Sequence, residues 1–144
     1  VINEPRVESA IRVAATLMEE TIESSIPFSF MANYIEKSGD GDEEFVNSGE
    51  NWGQNFVLDQ FRRMAKFELE SGMKFRNYLE EFGPKMNSTD IAIVTAYLDD
   101  FIYDFVRRKA AEDINVTVYM VSPPNDEIPS DVEVYLPIQT GGDK

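Results

Sequence analysis

The sequence predicts an α+β domain with about three main helices followed by a C-terminal antiparallel β-hairpin packed on them. Three observations lead to this fold class. The chain has 144 residues, 42% of them hydrophobic, which is enough for one packed core. Apolar residues recur at helical spacing in three segments before Asp113. After Asp113 they alternate with polar residues, as in half-buried strands. We therefore expect a single domain over residues 1–144.

The first helix is predicted to begin at Pro5, because proline is favoured in the first turn of a helix. Ser24, Ser25 and Pro27 are expected to end it. The apolar positions between these signals follow the spacing of one helical face: Val7, Ile11, Ala14, Leu17, Met18 and Ile22.

The next two segments are less regular. Residues 28–35 are rich in aromatic side chains and fit either a strand or a short helix, and as a strand they would join the C-terminal sheet. Residues 38–51 combine glycines with acidic residues and predict a mobile acidic loop.

Two further helices complete the predicted helical part. One covers residues 52–82, where Gly72 kinks or splits it, and Gly83-Pro84 ends it. The other begins at the capping residues Ser88-Thr89-Asp90. Its apolar stripe comprises Ile91, Val94, Leu98, Phe101, Ile102 and Phe105.

The C-terminal part predicts two strands. Apolar and polar residues alternate over 114–120 and again over 131–138, and a proline-containing loop joins the two segments. So short a connection favours an antiparallel hairpin. The tail at 139–144 is expected to be frayed.

Composition excludes several functional classes. The chain has 27 acidic and 13 basic residues, and its net charge is −14. Non-specific nucleic-acid binding is therefore not expected, since phosphate would be repelled.

The absence of histidine and cysteine excludes a Ser–His–Asp or Cys–His arrangement and a thiolate zinc site. No convincing catalytic motif remains, no cofactor is expected, and the compartment is left open. The longest uncharged apolar stretch, 91–98, is too short for a transmembrane segment.

Two groups of acidic residues are weak candidates for metal ligands. Tyr97-Leu98-Asp99-Asp100 resembles the YxDD signature of reverse-transcriptase palm domains, which implies that Asp99 and Asp100 hold divalent metal ions at a hairpin turn. The helical pattern of this segment favours instead an exposed acidic face. Asp40, Asp42 and Glu44 offer oxygen ligands of the kind that calcium prefers, but they lack the order of an EF-hand loop.

Five residues are candidates for binding a partner. Arg62, Arg63 and Lys66 form a basic group that either binds a partner or pairs with the acidic N-terminal third. Trp52 is expected to close the core, with ligand stacking as the alternative. Tyr135 lies with Glu133 on the exposed side of the last predicted strand, which could accept another strand.

The sequence thus favours a non-enzymatic protein-interaction or structural module, a domain or processed subunit of a larger protein or assembly. A protein partner or self-association is expected. Two alternatives stay open. One is a small-ligand sensing domain whose pocket would be lined by Phe28, Phe30, Tyr34 and Trp52. The other is an acidic inhibitor that mimics a polyanion, since residues 1–50 carry a net charge of −8 and residues 112–144 of −6.

Overall fold

The computed structural model describes residues 4–37, 43–67, 72–124 and 127–136. The predicted frayed tail at 139–144 lies outside these ranges. Over the described residues the chain forms four α-helices, five strands and the 3₁₀ turn Gly83–Lys85. In chain order the helices and strands are α1 (Glu4–Glu23), β1 (Met31–Lys37), β2 (Glu43–Asn47), α2 (Gln54–Met64), α3 (Phe75–Phe82), β3 (Asp90–Thr95), α4 (Asp100–Ala111), β4 (Asn115–Met120) and β5 (Glu133–Tyr135).

The strands form two sheets, so the prediction of three helices followed by a C-terminal hairpin is wrong. β1 and β2 pair antiparallel, whereas β3, β4 and β5 form a parallel sheet in that order. The connection of β4 to β5 spans 121–132. Twelve residues reach up to about 40 Å when extended, and β4 is about 20 Å long. The chain can therefore return to the start of β4 and pair in parallel.

The predicted start of the third helix, at Ser88-Thr89-Asp90, is wrong. Residues Asp90–Thr95 form β3, and α4 begins only at Asp100. The run Ile91-Ala92-Ile93-Val94 is short and rich in β-branched residues, which favours a buried strand. An apolar run of this length also places residues at helical spacing, so periodicity alone does not separate the two states.

Contacts divide the described chain into two compact units. The first contains Glu4 and the described residues of Ala14–Tyr78, and the second contains Pro5–Val13 and the described residues of Leu79–Lys144. The expectation of a single domain stays a prediction.

In the first unit, β1 and β2 form the sheet. The undecided segment 28–35 contributes strand β1 from Met31, and this strand pairs with β2 rather than with the C-terminal sheet. Strand β2 lies where the acidic loop was predicted, and a bridge between Phe28 and Asn51 extends the pairing. The beginning of that loop, 38–42, lies outside the described residues.

The predicted helix over 52–82 is split, as the position of Gly72 suggested. α2 ends at Met64 and α3 begins at Phe75, while Gly72 bridges to Tyr34 of β1. A β-carbon at Gly72 would lie 2.8 Å from the backbone oxygen of Asn33, so the strand approaches too closely for a side chain. The buried residues of this unit include Met18, Val46, Val57, Met64 and Tyr78.

The second unit contains a β–α–β arrangement. β3 leads into α4, α4 packs against β4, and β4 lies between β3 and β5. Its core includes Ile102, Phe105 and Val106 of α4 together with Ile93, Ile114, Val116, Val118, Met120 and Val132. This sheet positions the candidate site.

Candidate interaction surface

One face of the parallel sheet is covered. Successive side chains of a strand point to opposite faces, and on β4 the buried residues are Val116, Val118 and Met120. The register places Ile93 of β3 beside Val118, and Val134 of β5 on the other side of it. This covered face thus carries aliphatic side chains from all three strands.

The opposite face is largely polar, and we call it the open face. Register defines three rows of side chains across it, because paired residues of parallel strands point to the same side. The rows are Asp90 with Asn115, then Ala92 with Thr117 and Glu133, then Val94 with Tyr119 and Tyr135.

Contacts within the open face follow these rows. The Asn115 amide donates to Oδ1 of Asp90 at 3.4 Å, and the Thr117 hydroxyl donates to Oε1 of Glu133 at 3.3 Å. The Tyr119 and Tyr135 rings stack with their centroids 5.2 Å apart. These contacts connect side chains of the open face across β3, β4 and β5.

Glu133 and Tyr135 are the most interconnected pair on this surface. The Tyr135 hydroxyl donates to Oε2 of Glu133 at 3.1 Å. The hydrogen bond and the negative charge of Glu133 raise the pKa of the Tyr135 phenol. Tyr135 therefore stays protonated at neutral pH and presents a neutral aromatic ring, which is 52% exposed, beside a carboxylate.

The open face is exposed to an extent that is unusual for a parallel sheet. Parallel sheets occur almost always with both faces covered, commonly by helices. Here Asp90, Ala92, Asn115, Glu133 and Tyr135 are exposed, and the remaining side chains of the face are half-buried. The second unit therefore has a parallel sheet with one uncovered face, whereas both faces of such a sheet are normally covered.

The charged residues of the open face are all acidic. Its only charged residues are Asp90 and Glu133, and neither forms an ion pair with a base in the described part of the chain. Arg107 of α4 instead holds Asp131 in a two-pronged ion pair at 2.8 and 3.2 Å. The open face is therefore negatively charged.

Asp99 and Asp100 lie at the carboxyl end of β3, where the chain enters α4. Asp99 is the N-cap of α4 and Asp100 is in its first turn. A negative charge is favoured there by the helix dipole, which accounts for both residues structurally. The chain passes from strand to helix at this point, so it lacks the hairpin turn of the YxDD signature.

The hydroxyl groups near this strand end are engaged within the chain. The Thr95 hydroxyl accepts from the Tyr97 amide at 3.2 Å, and the Ser122 hydroxyl donates to the Ala96 carbonyl at 2.9 Å. The Arg6 guanidinium donates to the Tyr97 hydroxyl at 3.1 Å. These bonds fix the loop that leads into α4.

The calcium candidates do not assemble into a site. Asp40 and Asp42 lie outside the described residues, and Glu44 stands on β2 opposite Glu36 of β1. Within the described ranges, no three acidic side chains come together in a way that could hold a metal ion.

The basic candidates of the first unit are mostly paired within α2 and β1. Arg62 lies 2.9 Å from Asp59, and Arg63 lies 3.2 Å from Glu36 of β1. Lys66 is exposed just after α2. The sequence left open whether these bases bind a partner or pair with the acidic N-terminal third. Arg63 does the latter, since it pairs with β1.

Trp52 is 57% exposed, so the expectation that it closes the core is wrong. It precedes the first turn of α2, next to the N-cap Gly53. Ile26 and Leu58 of the same unit are also exposed. Trp52 stays an interaction candidate.

Three of the four aromatic residues proposed to line a ligand pocket pack on other aromatic rings, and the fourth, Trp52, is exposed. Ring centroids of Phe28 and Phe56 lie 4.9 Å apart, and those of Tyr34 and Phe67 lie 5.0 Å apart. A concavity of about 410 Å³ in the first unit is lined by Thr16, Glu19, Glu20 and Glu23 of α1. Its acidic, solvent-exposed lining differs from the largely apolar walls of small-molecule sites.

Of the residues on the open face, the sequence singled out Glu133 and Tyr135. Asn115, Thr117 and Tyr119 were recognisable as the polar side of an alternating strand. Their alignment with Glu133 was not, because it depends on the parallel register of β4 and β5.

Comparison with protein-family models, with curated protein sequences and with solved structures finds no match for this chain. In the part of the chain that the structure describes, the helices are too short or too polar to cross a membrane.

Proposed function

We propose that this chain is a non-enzymatic protein-interaction module that binds its partner on the open face. The observation that supports this proposal is the uncovered face of a parallel sheet on which every charged residue is acidic. Burial of that face by a partner would give the sheet the two covered faces that such sheets normally have.

The residues of the face suit binding rather than catalysis. Tyrosine is enriched at protein interfaces because it combines a large contact area with a hydroxyl group and loses little conformational entropy. Tyr119 and Tyr135 provide such an area at the centre and the edge of the face. Glu133 and Asp90 supply charge near it, which contributes to specificity and to the rate of association.

An arginine at the centre of the face tests the proposal. In Thr117→Arg, a long cationic side chain replaces a half-buried threonine on β4. We expect the wild-type chain to recover a partner from an extract of its source organism at low salt, and Thr117→Arg to lose that partner. The measurement is quantitative mass spectrometry of the recovered proteins.

Ser24→Arg is the matched control, because it adds the same charge at an exposed position of the first unit. It should recover the partner as the wild type does, and circular dichroism should show that both variants are folded. Recovery of the same proteins by Thr117→Arg, or of none by the wild type, would contradict the proposal.

A further inference from the structure

We infer that the occupant of the open face is a single amphipathic helix with basic side chains, supplied by a partner protein. This inference rests on the proposed function and adds the class of partner. It follows from the dimensions of the face, its charge and its aromatic surface.

The dimensions fit one helix. Neighbouring strands lie about 4.8 Å apart, so the outer strands of a three-stranded sheet are about 10 Å apart. One α-helix with its side chains is about 10–12 Å wide. β4 has six residues and is about 20 Å long, a length that about 13 helical residues match. Helices are also what normally covers a parallel sheet.

The charge of the face selects a basic helix. Asp90 and Glu133 lie in different rows, on the two outer strands, and the face carries no base. A helix along β4 would bring lysine or arginine side chains on its two flanks toward these two carboxylates. Long basic side chains reach sideways from a helix while their aliphatic stems cover apolar surface.

The tyrosine row favours the same occupant. Tyr119 and Tyr135 present stacked rings next to the half-buried Val94. Aliphatic side chains of a helix can pack on these rings, and a cation above a ring face gains a further attraction. Glu133 stands beside the Tyr135 ring, where it would stabilise such a cation.

A second copy of this chain fits the face less well. It would carry the same net charge of −14 and would place like carboxylates opposite one another. Like charges across an interface disfavour binding. A dimer that requires the open face is therefore an outcome that would overturn the inference.

Designed peptides test the occupant. The probe is a fluorescein-labelled 14-residue peptide of leucine and lysine with leucines at helical spacing. Its controls are a peptide of the same composition with strictly alternating leucine and lysine, and a helical peptide in which glutamate replaces lysine. Fluorescence anisotropy at 150 mM salt should show binding of the helical basic peptide, with each control peptide at least tenfold weaker.

Variants locate the peptide on the protein. The double variant Asp90→Asn/Glu133→Gln should weaken binding about fivefold, since exposed ion pairs contribute modestly. Glu19→Gln/Glu23→Gln removes the same charge from α1 in the first unit and should change binding less than twofold. Thr117→Arg should abolish binding.

Equal losses in the two double variants would show general attraction to an acidic protein and would overturn the inference. Equal binding of the helical and alternating basic peptides would also overturn it. If the partner recovered from the extract depends on Thr117 but the helical peptide does not bind, the proposed function stands and the class of partner is wrong. If neither depends on Thr117, both proposals fail.

Discussion

At the scale of single residues, Lys109 shows how burial changes the role of a charged side chain. It is 2% exposed on α4, its ammonium donates to the Met86 carbonyl at 2.6 Å, and Glu112 lies 3.7 Å away. In the sequence it is one of three consecutive bases, Arg107-Arg108-Lys109. Its burial depends on the turn Gly83–Lys85, which brings the Met86 carbonyl above α4, and local pattern does not reveal that contact.

Replacement of Lys109 should therefore destabilise the protein. In Lys109→Met the apolar volume is largely kept, but the Met86 carbonyl loses its donor, so we expect a loss of about 1–3 kcal/mol in the free energy of unfolding. Urea denaturation measures this. Arg108→Met, at the exposed neighbouring position, should change stability by less than about 0.5 kcal/mol. Equal stabilities of the two variants would contradict the structural role of Lys109.

A second residue-scale prediction concerns pH. The hydrogen bond from Arg107 holds the pKa of the Asp131 carboxyl below its ordinary value. A carboxyl with a lowered pKa in the folded state contributes stability that is complete above the unfolded pKa, about 4. That contribution is lost as the pH falls through the lower, folded pKa. Arg107 stays protonated throughout this range.

Arg107→Gln should raise the pKa of Asp131 toward its ordinary value, and carbon-detected NMR titration of the carboxyl group measures this. Arg108→Gln is the matched control, because Arg108 donates to the backbone oxygen of Asp104 at 3.4 Å. An Asp131 pKa that moves equally in both variants would indicate general charge effects rather than the ion pair.

At the scale of elements, the turn after α3 and the helix α4 depend on one small residue. Gly83 is buried, and a β-carbon there would lie 2.8 Å from Cε1 of Phe105, which is itself buried. Gly83→Ala should therefore lower the free energy of unfolding by about 1–3 kcal/mol through overpacking.

A double-mutant cycle with Phe105→Leu tests this explanation. Leucine removes the ring that meets the new methyl group, so Gly83→Ala should cost clearly less in the Phe105→Leu background. Stability from urea denaturation of the four proteins gives the coupling energy. If the two substitutions lower the free energy of unfolding additively, the effect of Gly83→Ala comes from the backbone instead.

Elements with strong local signals were predictable. The start of α1 next to Pro5, the strand after Asp113 and the break at Gly72 follow from proline, alternation and glycine. β3 was missed because a short apolar run fits a strand as well as a helix. The parallel pairing of β5 with β4 was not predicted, because it depends on the connection between the two strands and not on the residues of β5.

At the scale of the whole molecule, composition limited the functional classes but did not locate a surface. The charge of −14 and the absence of histidine and cysteine are properties of the sequence alone. The open face exists only because β3, β4 and β5 align in parallel. Of its eight side chains only Glu133 and Tyr135 stood out in the sequence, since the alignment joins residues 90–94, 115–119 and 133–135.

The parallel register also has a consequence for how the chain folds. Each contact between β3 and β4 joins residues 25 positions apart, whereas Lys37 and Glu43 of the antiparallel pair are six apart. Closing a longer loop costs more entropy before any contact stabilises it, and non-local pairing slows folding. We therefore expect the hairpin of β1 and β2 to form early. The open face is expected to be among the last parts of the chain to be completed.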